Sequence, residues 1–266
     1  MRRRGSRLKI SGGGGYLLDT YPAAIAYSLR KLSGSYTDAP IGVRRSSDDT
    51  EQDIGFDANG ELDTAALLSF VGAGDGFVST IYDQAGAGFN FTQTNPVRQG
   101  RIVDSGVVNT LNGKPVILRS LDNDGGYVSD YEPNDGVKGV FYVGNNGGKS
   151  TVLLGSLAST NDYVYISQSG SNATSVIRNV DISNQKLNGA TWATTNRGQI
   201  YTDTLNQFLL SSTNDFKFES ANLSLGYRFN SPAGLGMNSF QEMIFFDNTT
   251  DHLDKETKIN SYYNIY

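Results

Sequence analysis

Tyr163-Val164-Tyr165-Ile166 and Phe240-Gln241-Glu242-Met243-Ile244 decide the fold. Both runs alternate or stay apolar over four or five residues, as side chains pointing to opposite faces of a sheet require. Nothing between residues 139 and 246 holds a 3.6-residue period, so this half of the chain reads as strands. Working outward, short runs of β-branched and aromatic residues recur at 41–45, 77–82, 116–118, 139–143, 152–154, 163–166, 174–180, 199–202, 223–227 and 239–246, separated by Gly, Asn, Asp and Ser clusters. That many strands without an internal repeat or a linker predict one all-β domain over residues 16–266, a two-sheet jelly-roll β-sandwich with a few peripheral helices.

Three helices are expected. Thr20 as cap, Pro22 in the first turn and Ile25, Leu29 and Leu32 at helical spacing predict one that Gly34 ends. A second should run over 63–71, capped by Asp63 and stopped by Gly72, with Leu67, Leu68 and Val71 inward. The third should run over 251–263 with Leu253, Ile259 and Tyr263 inward.

The chain has 266 residues, a length for one large or two small domains at roughly 100 to 200 residues each. It contains no cysteine, which excludes disulfides, thiolate metal sites and cysteine nucleophiles. Net charge is −5, yet the first ten residues carry Arg2, Arg3, Arg4, Arg7 and Lys9 and no acid, which leaves −10 on the rest. Residues 1–15 therefore read as a flexible basic arm ending in the four-glycine hinge 12–15, an anchor suited to an acidic partner surface. The acidic body repels phosphate backbones, so nucleic acid is not its expected ligand. No apolar h-region follows the basic residues and no window approaches a membrane span, so neither an export signal nor a membrane is expected.

Chemistry-bearing motifs are sparse. The one histidine, His252, opens the terminal helix between Asp251 and Asp254, where a solvated surface role is expected; a Ser-His-Asp triad has no other base. Gly148-Lys149-Ser150 ends like a phosphate loop, but position 143 is Val where the first glycine belongs, so a hairpin turn is expected. Asp122-Asn123-Asp124-Gly125 and Ser47-Asp48-Asp49-Thr50 are the best oxygen clusters for a structural Ca²⁺, although both fit ordinary turn chemistry; no other cofactor is implied. Trp192, Tyr163, Tyr165 and Tyr201 combine flat apolar area with polar tips and are the candidates for a glycan groove.

Four stretches, Ala26 to Leu32, Val43-Arg44-Arg45-Ser46-Ser47-Asp48-Asp49-Thr50, Ile81-Tyr82-Asp83-Gln84-Ala85-Gly86 and Thr110-Leu111-Asn112-Gly113-Lys114-Pro115, together resemble the catalytic domain of α-L-arabinofuranosidase B, and especially its relatives among bacteriophage virion proteins. The closing Asn260-Ser261-Tyr262-Tyr263-Asn264-Ile265-Tyr266 is similar to the last helix of those phage relatives. The resemblance implies a concanavalin A-like sandwich over 16–266. It places a nucleophilic glutamate on the strand aligned with 163–166, where this chain has Tyr163-Val164-Tyr165 and Asp162 is the nearest acid. It places an acid/base aspartate near Leu225-Gly226-Tyr227-Arg228-Phe229-Asn230-Ser231, which has no carboxylate, and a cysteine pair near Ser150 and Thr151, which is missing. A retaining mechanism needs both carboxyls. The expectation is therefore a non-catalytic phage virion structural protein, a head or tail fibre or decoration protein. It would be anchored by its basic arm to capsid or tail proteins, be homo-oligomeric, with a trimer as one expected form, and present its lectin-like domain to host surface glycans. The alternative is an active arabinofuranosidase-like hydrolase using Asp162 with Glu219 or Glu242.

Overall fold

The computed structural model describes residues 15–118, 126–132, 138–148, 151–156, 163–167, 184–192, 194, 196–213, 222–226 and 239–266, the side chains of 151–156 and 163–167 excepted. Two antiparallel sheets face each other as a β-sandwich of jelly-roll type. The smaller holds, in spatial order, β1 (Ile25–Ser28), β18 (Ser239–Phe246), β11 (Gly139–Asn145), β16 (Phe208–Ser212), β14 (Gln185–Leu187) and β15 (Ala190–Thr191). The larger runs β13 (Tyr163–Ser167), β12 (Thr151–Ser156), β17 (Leu223–Leu225), β10 (Tyr127–Val128), β5 (Phe91–Thr92), β4 (Gly76–Ile81), β2 (Ile41–Arg45) and β3 (Glu51–Ile54). A side branch of β6 (Gly100–Asp104) and β7 (Val107–Val108) pairs with β4, and β8 (Thr110–Leu111) pairs with β9 (Lys114–Pro115). The helices are α1 (Leu17–Thr20), α2 (Thr64–Val71), α3 (Arg197–Asp203) and α4 (His252–Tyr263). Among the described residues no helix is long and apolar enough to cross a membrane.

The strand β18 shows how alternation builds two cores. Phe240, Met243 and Phe245 enter the core between the sheets, with Tyr27, Tyr142, Phe208, Val43, Ile81 and Leu225. Ile244 and Phe246 face the other way, into a second cluster with Phe141, Leu209, Ile259 and Tyr263 under α4 and α1. Phe240 and Met243 share a face although three residues apart, because the register with β11 slips between Val143 and Gly144 and leaves Gln241 as the extra residue of a bulge. Gly144 has to be glycine at this slip: a Cβ would lie 1.9 Å from the Ser239 carbonyl oxygen and 2.8 Å from the Tyr142 ring.

Several expectations need correction. The segment read as a helix after Pro22 is instead β1, following the single-turn α1. Ile25 and Tyr27 point into the inter-sheet core and Ala26 into the cluster under α4, so the strand is apolar on both faces and lacks the period-two signature. Residues 199–202 are not a strand but part of α3, which Asn196 caps by accepting the Gln199 N–H at 3.0 Å. Residues 116–118 form only isolated bridges, Ile117 to Phe240 and Leu118 to Arg101. The turn after β11 is not a hairpin, since β11 and β12 lie in different sheets and the turn carries the chain from one to the other. Residues 174–180 lie outside the described residues. By contrast α2 forms as expected, with Asp63 accepting the Ala66 N–H at 2.9 Å and Gly72 at φ +68° closing it. In α4, Ile259 and Tyr263 are buried but Leu253 is exposed; the other inward residues are Lys255 and Glu256.

Candidate functional site

The two stretches that the resemblance ties to the reacting carboxyls come together in the larger sheet. Leu154 of β12 pairs with Val164 of β13 on one side and with Leu225 of β17 on the other, and Gly155 likewise pairs with Tyr163 and Ser224. Residues two strands apart in one row are separated by about 9.5 Å, close to the roughly 5–9 Å over which glycosidase carboxyls cooperate. None of these row positions holds an acid. Leu223 and Leu225 belong to the inter-sheet core, and Ser224 is fully buried. Strands β13 and β17 both run antiparallel to β12, so both begin at the end of the sheet where β12 finishes at Ser156. In sequence, Asp162 is the residue before β13 and Glu219 stands four before β17; both lie outside the described residues.

Helix α3 packs on β13 and organises the neighbouring aromatics. Its Asp203 takes the Trp192 indole N–H at 2.8 Å on one oxygen and the Gln199 amide at 2.6 Å on the other. Trp192 is half-buried against the main core, so packing and one hydrogen bond fix its ring. The Tyr201 hydroxyl donates to the Gly148 carbonyl at 2.9 Å, and the Asn146 amide donates back to the Tyr201 carbonyl at 2.6 Å. Of the four aromatic candidates, Trp192 and Tyr201 thus sit on or beside the helix that covers β13, while the side chains of Tyr163 and Tyr165 lie outside the description. The sequence reading missed Asp203 and also Gln185, which is 2% exposed and whose Nε2 has no hydrogen-bond partner among the described residues. Asn196 followed three residues later by Gln199 is the helix-start signal that would have found α3.

Other candidates have structural tasks. Glu242 is completely buried on β18. Its Oε2 accepts Arg30 Nε at 2.7 Å, Ser28 Oγ at 2.8 Å and the Tyr263 hydroxyl at 3.2 Å, and its Oε1 accepts the other end of the Arg30 fork at 2.9 Å. A carboxylate completely buried and held by four donated bonds is out of reach of a sugar, which removes it from the catalytic candidates. Asp48 forms a two-bond pair with Arg45, at 2.7 and 2.6 Å, that holds its carboxyl well below the usual carboxylate range. Asp49 pairs with Arg44. These acids are engaged with arginines at a turn; the other oxygen cluster, 122–125, lies outside the described residues, as do Arg2, Arg3, Arg4, Arg7 and Lys9. His252 is not solvated as expected. Its ring stacks on Phe141 with centroids 4.7 Å apart, and burial pushes its pKa down to about 4, against the opposing pull of Glu256.

A protein-family model described as "Alpha-L-arabinofuranosidase B, catalytic" matches residues 16–142. Residues 16–142, just under half of the chain, are similar to that catalytic domain. Across the whole sandwich, a GH54 α-L-arabinofuranosidase soaked with a cyclic sulfate inhibitor is similar at a TM-score of 0.55 and 16% identity, over 93% of this chain and 64% of that one. An arabinofuranosidase complexed with arabinofuranosyl-α-1,2-xylobiose is similar at 0.52 and 16%, with the same coverage. At such identities these structures establish the fold, and the chain spans 64% of their length. No curated protein sequence matches it. The expectation of a phage virion fibre, decoration or tail protein is overturned, because the matching family model and the similar structures are glycoside hydrolases and none is a virion component. The arabinofuranosidase B-like match ends at Tyr142, before β12, β13 and β17, so the half that holds the row of candidate reacting positions is related through the fold.

Proposed function

We propose that this chain is an arabinofuranosidase-like glycoside hydrolase domain that acts on terminal α-L-arabinofuranosides. The observation that carries the reading is the family match over residues 16–142, continued by a shared sandwich over 93% of the chain. Asp162 and Glu219 are the acids whose chain positions lead into β13 and β17, the two strands that start at the same end of the sheet two places apart. In a retaining mechanism one carboxylate attacks the anomeric carbon and the other protonates the departing oxygen, then takes a proton from the water that releases the sugar.

A second reading, arabinofuranoside recognition without turnover, is favoured by one specific observation: β13 and β17 carry no carboxylate of their own. Release of 4-nitrophenol from 4-nitrophenyl α-L-arabinofuranoside separates the two. Hydrolysis by the wild type that falls by about 10²–10⁴-fold in Asp162→Asn and in Glu219→Gln supports the first. Calorimetric binding of the glycoside with no release supports the second, and the absence of both rejects each.

A further inference from the structure

At the far side of the larger sheet from β13, the loop after β1, the strand β3 and the end of β4 enclose an open groove of about 570 Å³. Tyr36 and Tyr82 supply its flat surfaces. Both rings are fixed by their hydroxyls, Tyr36 donating to the Ala39 carbonyl and Tyr82 to Asp53 Oδ1, each at 2.8 Å. The Tyr36 ring also rests edge-on against Phe56, with centroids 6.4 Å apart. Rings held in this way present apolar area without further loss of side-chain freedom on binding.

The opposite wall is equally preformed. Buried Asp83 accepts the backbone N–H groups of Ala26, Ala85 and Ala87, each at 2.9 Å, and of Gly88 at 3.1 Å, which freezes the loop that follows β4. Asn90 accepts the Asp83 N–H at 3.0 Å. Between the rings stand acceptors: the exposed Asp38 carboxylate, with no hydrogen bond or ion pair among the described residues, and the second oxygen of Asp53. Among the described residues no lysine or arginine lines the groove, so its acidic walls disfavour carboxylated, sulfated or phosphorylated ligands. A neutral sugar satisfies both features, with its C–H face on the rings and its hydroxyls donating to the carboxylates.

We propose that this groove is a second carbohydrate-binding site, which holds a neutral sugar unit of a polysaccharide while another part of the chain reaches the hydrolytic end of the sheet. The sheet order puts seven strand intervals between β13 and β3, about 34 Å, so the two sites do not overlap. The choice of a polysaccharide as ligand rests on the function proposed above; the groove itself does not.

Electrophoresis of the full chain through gels containing soluble arabinoxylan, or polygalacturonate as an anionic polymer, tests the site. Arabinoxylan should retard the wild type, and Tyr36→Ala with Tyr82→Ala should weaken retention about tenfold or more, equivalent to roughly 1.4 kcal/mol. Asp38→Ala, at an exposed position that packs on nothing, should weaken it severalfold without affecting folding. All three changes should leave the rate on 4-nitrophenyl α-L-arabinofuranoside at the wild-type level. Retardation of the wild type that none of the variants diminishes, no retardation by arabinoxylan, or equal retardation by polygalacturonate overturns the proposal. Tyrosine-dependent retention in a protein that releases no nitrophenol supports this site and rejects the hydrolase reading alone.

Discussion

Replacing Glu242 by Ala removes the acceptor on which four donated hydrogen bonds converge. The change leaves the Arg30 guanidinium, 13% exposed, without its partner beneath the rings of Tyr262 and Tyr263, which lie 4.2 and 5.5 Å from it. Breaking a buried pair from one side costs about 3–5 kcal/mol, because the surviving charge stays desolvated. The Ser28 and Tyr263 hydroxyls lose the same acceptor, although Ser28 Oγ still accepts the Arg30 backbone N–H at 3.1 Å. Against the 5–15 kcal/mol usual for whole domains this is a large share. Urea unfolding followed by fluorescence should show a lower midpoint at an unchanged slope. Arg30→Met combined with Glu242→Leu should recover most of the loss, since no charge then remains buried. A loss below about 1 kcal/mol in Glu242→Ala would refute the reasoning. So would a Glu242→Gln protein of full stability that has lost arabinofuranoside turnover, which would return Glu242 to the reaction.

Two further outcomes follow from local geometry. His252 is held neutral in the fold by burial, with Lys186 and Lys255 adding to the effect and Glu256 opposing it, and titrates at about 4 instead of 6.5. The unfolded chain therefore takes up a proton that the folded one refuses, so stability should fall by about 3 kcal/mol as pH drops from 6.5 to 4. Denaturation at a series of pH values should show this slope, and His252→Leu should flatten it. Gly144→Ala places a methyl group 1.9 Å from the Ser239 carbonyl oxygen, which the bulge cannot relieve without breaking β11 from β18. Thermal unfolding should register a loss of about 3 kcal/mol or more, with Ala substitution at the half-buried Gly55, where a Cβ meets nothing within 4 Å, as the control.

The match between reading and structure depends on how local each signal is. The strand β18, the cap and stop of α2 and the span of α4 were legible because an apolar and aromatic run, Asp63 with Gly72, and a closing helical run are written within a dozen residues. The strand β1 was misread because burial on both faces erases alternation, and Ile25, Leu29 and Leu32 then mimic a helix by spacing alone. Helix α3 was overlooked although Asn196 and Gln199 spell its start, since the β-rich surroundings suggested another strand. The closeness of β13 and β17 was not visible at all: 55 residues lie between the end of β13 at Ser167 and the start of β17 at Leu223, and only shared pairing with β12 sets them side by side.

Composition and pattern by themselves determined an all-β sandwich with an acidic body and no thiol chemistry, and four short stretches carried the resemblance to arabinofuranosidase B. Tertiary structure alone decided that Glu242 is a structural anchor for Arg30, that His252 at the start of α4 is half-buried against Phe141, and that Tyr36 and Tyr82 face one groove. The physical reason is that a side chain's period and capping chemistry act over one or two turns of chain. Its burial, its charge partners and its neighbours across a sheet are set by pairings between residues tens to hundreds of positions apart.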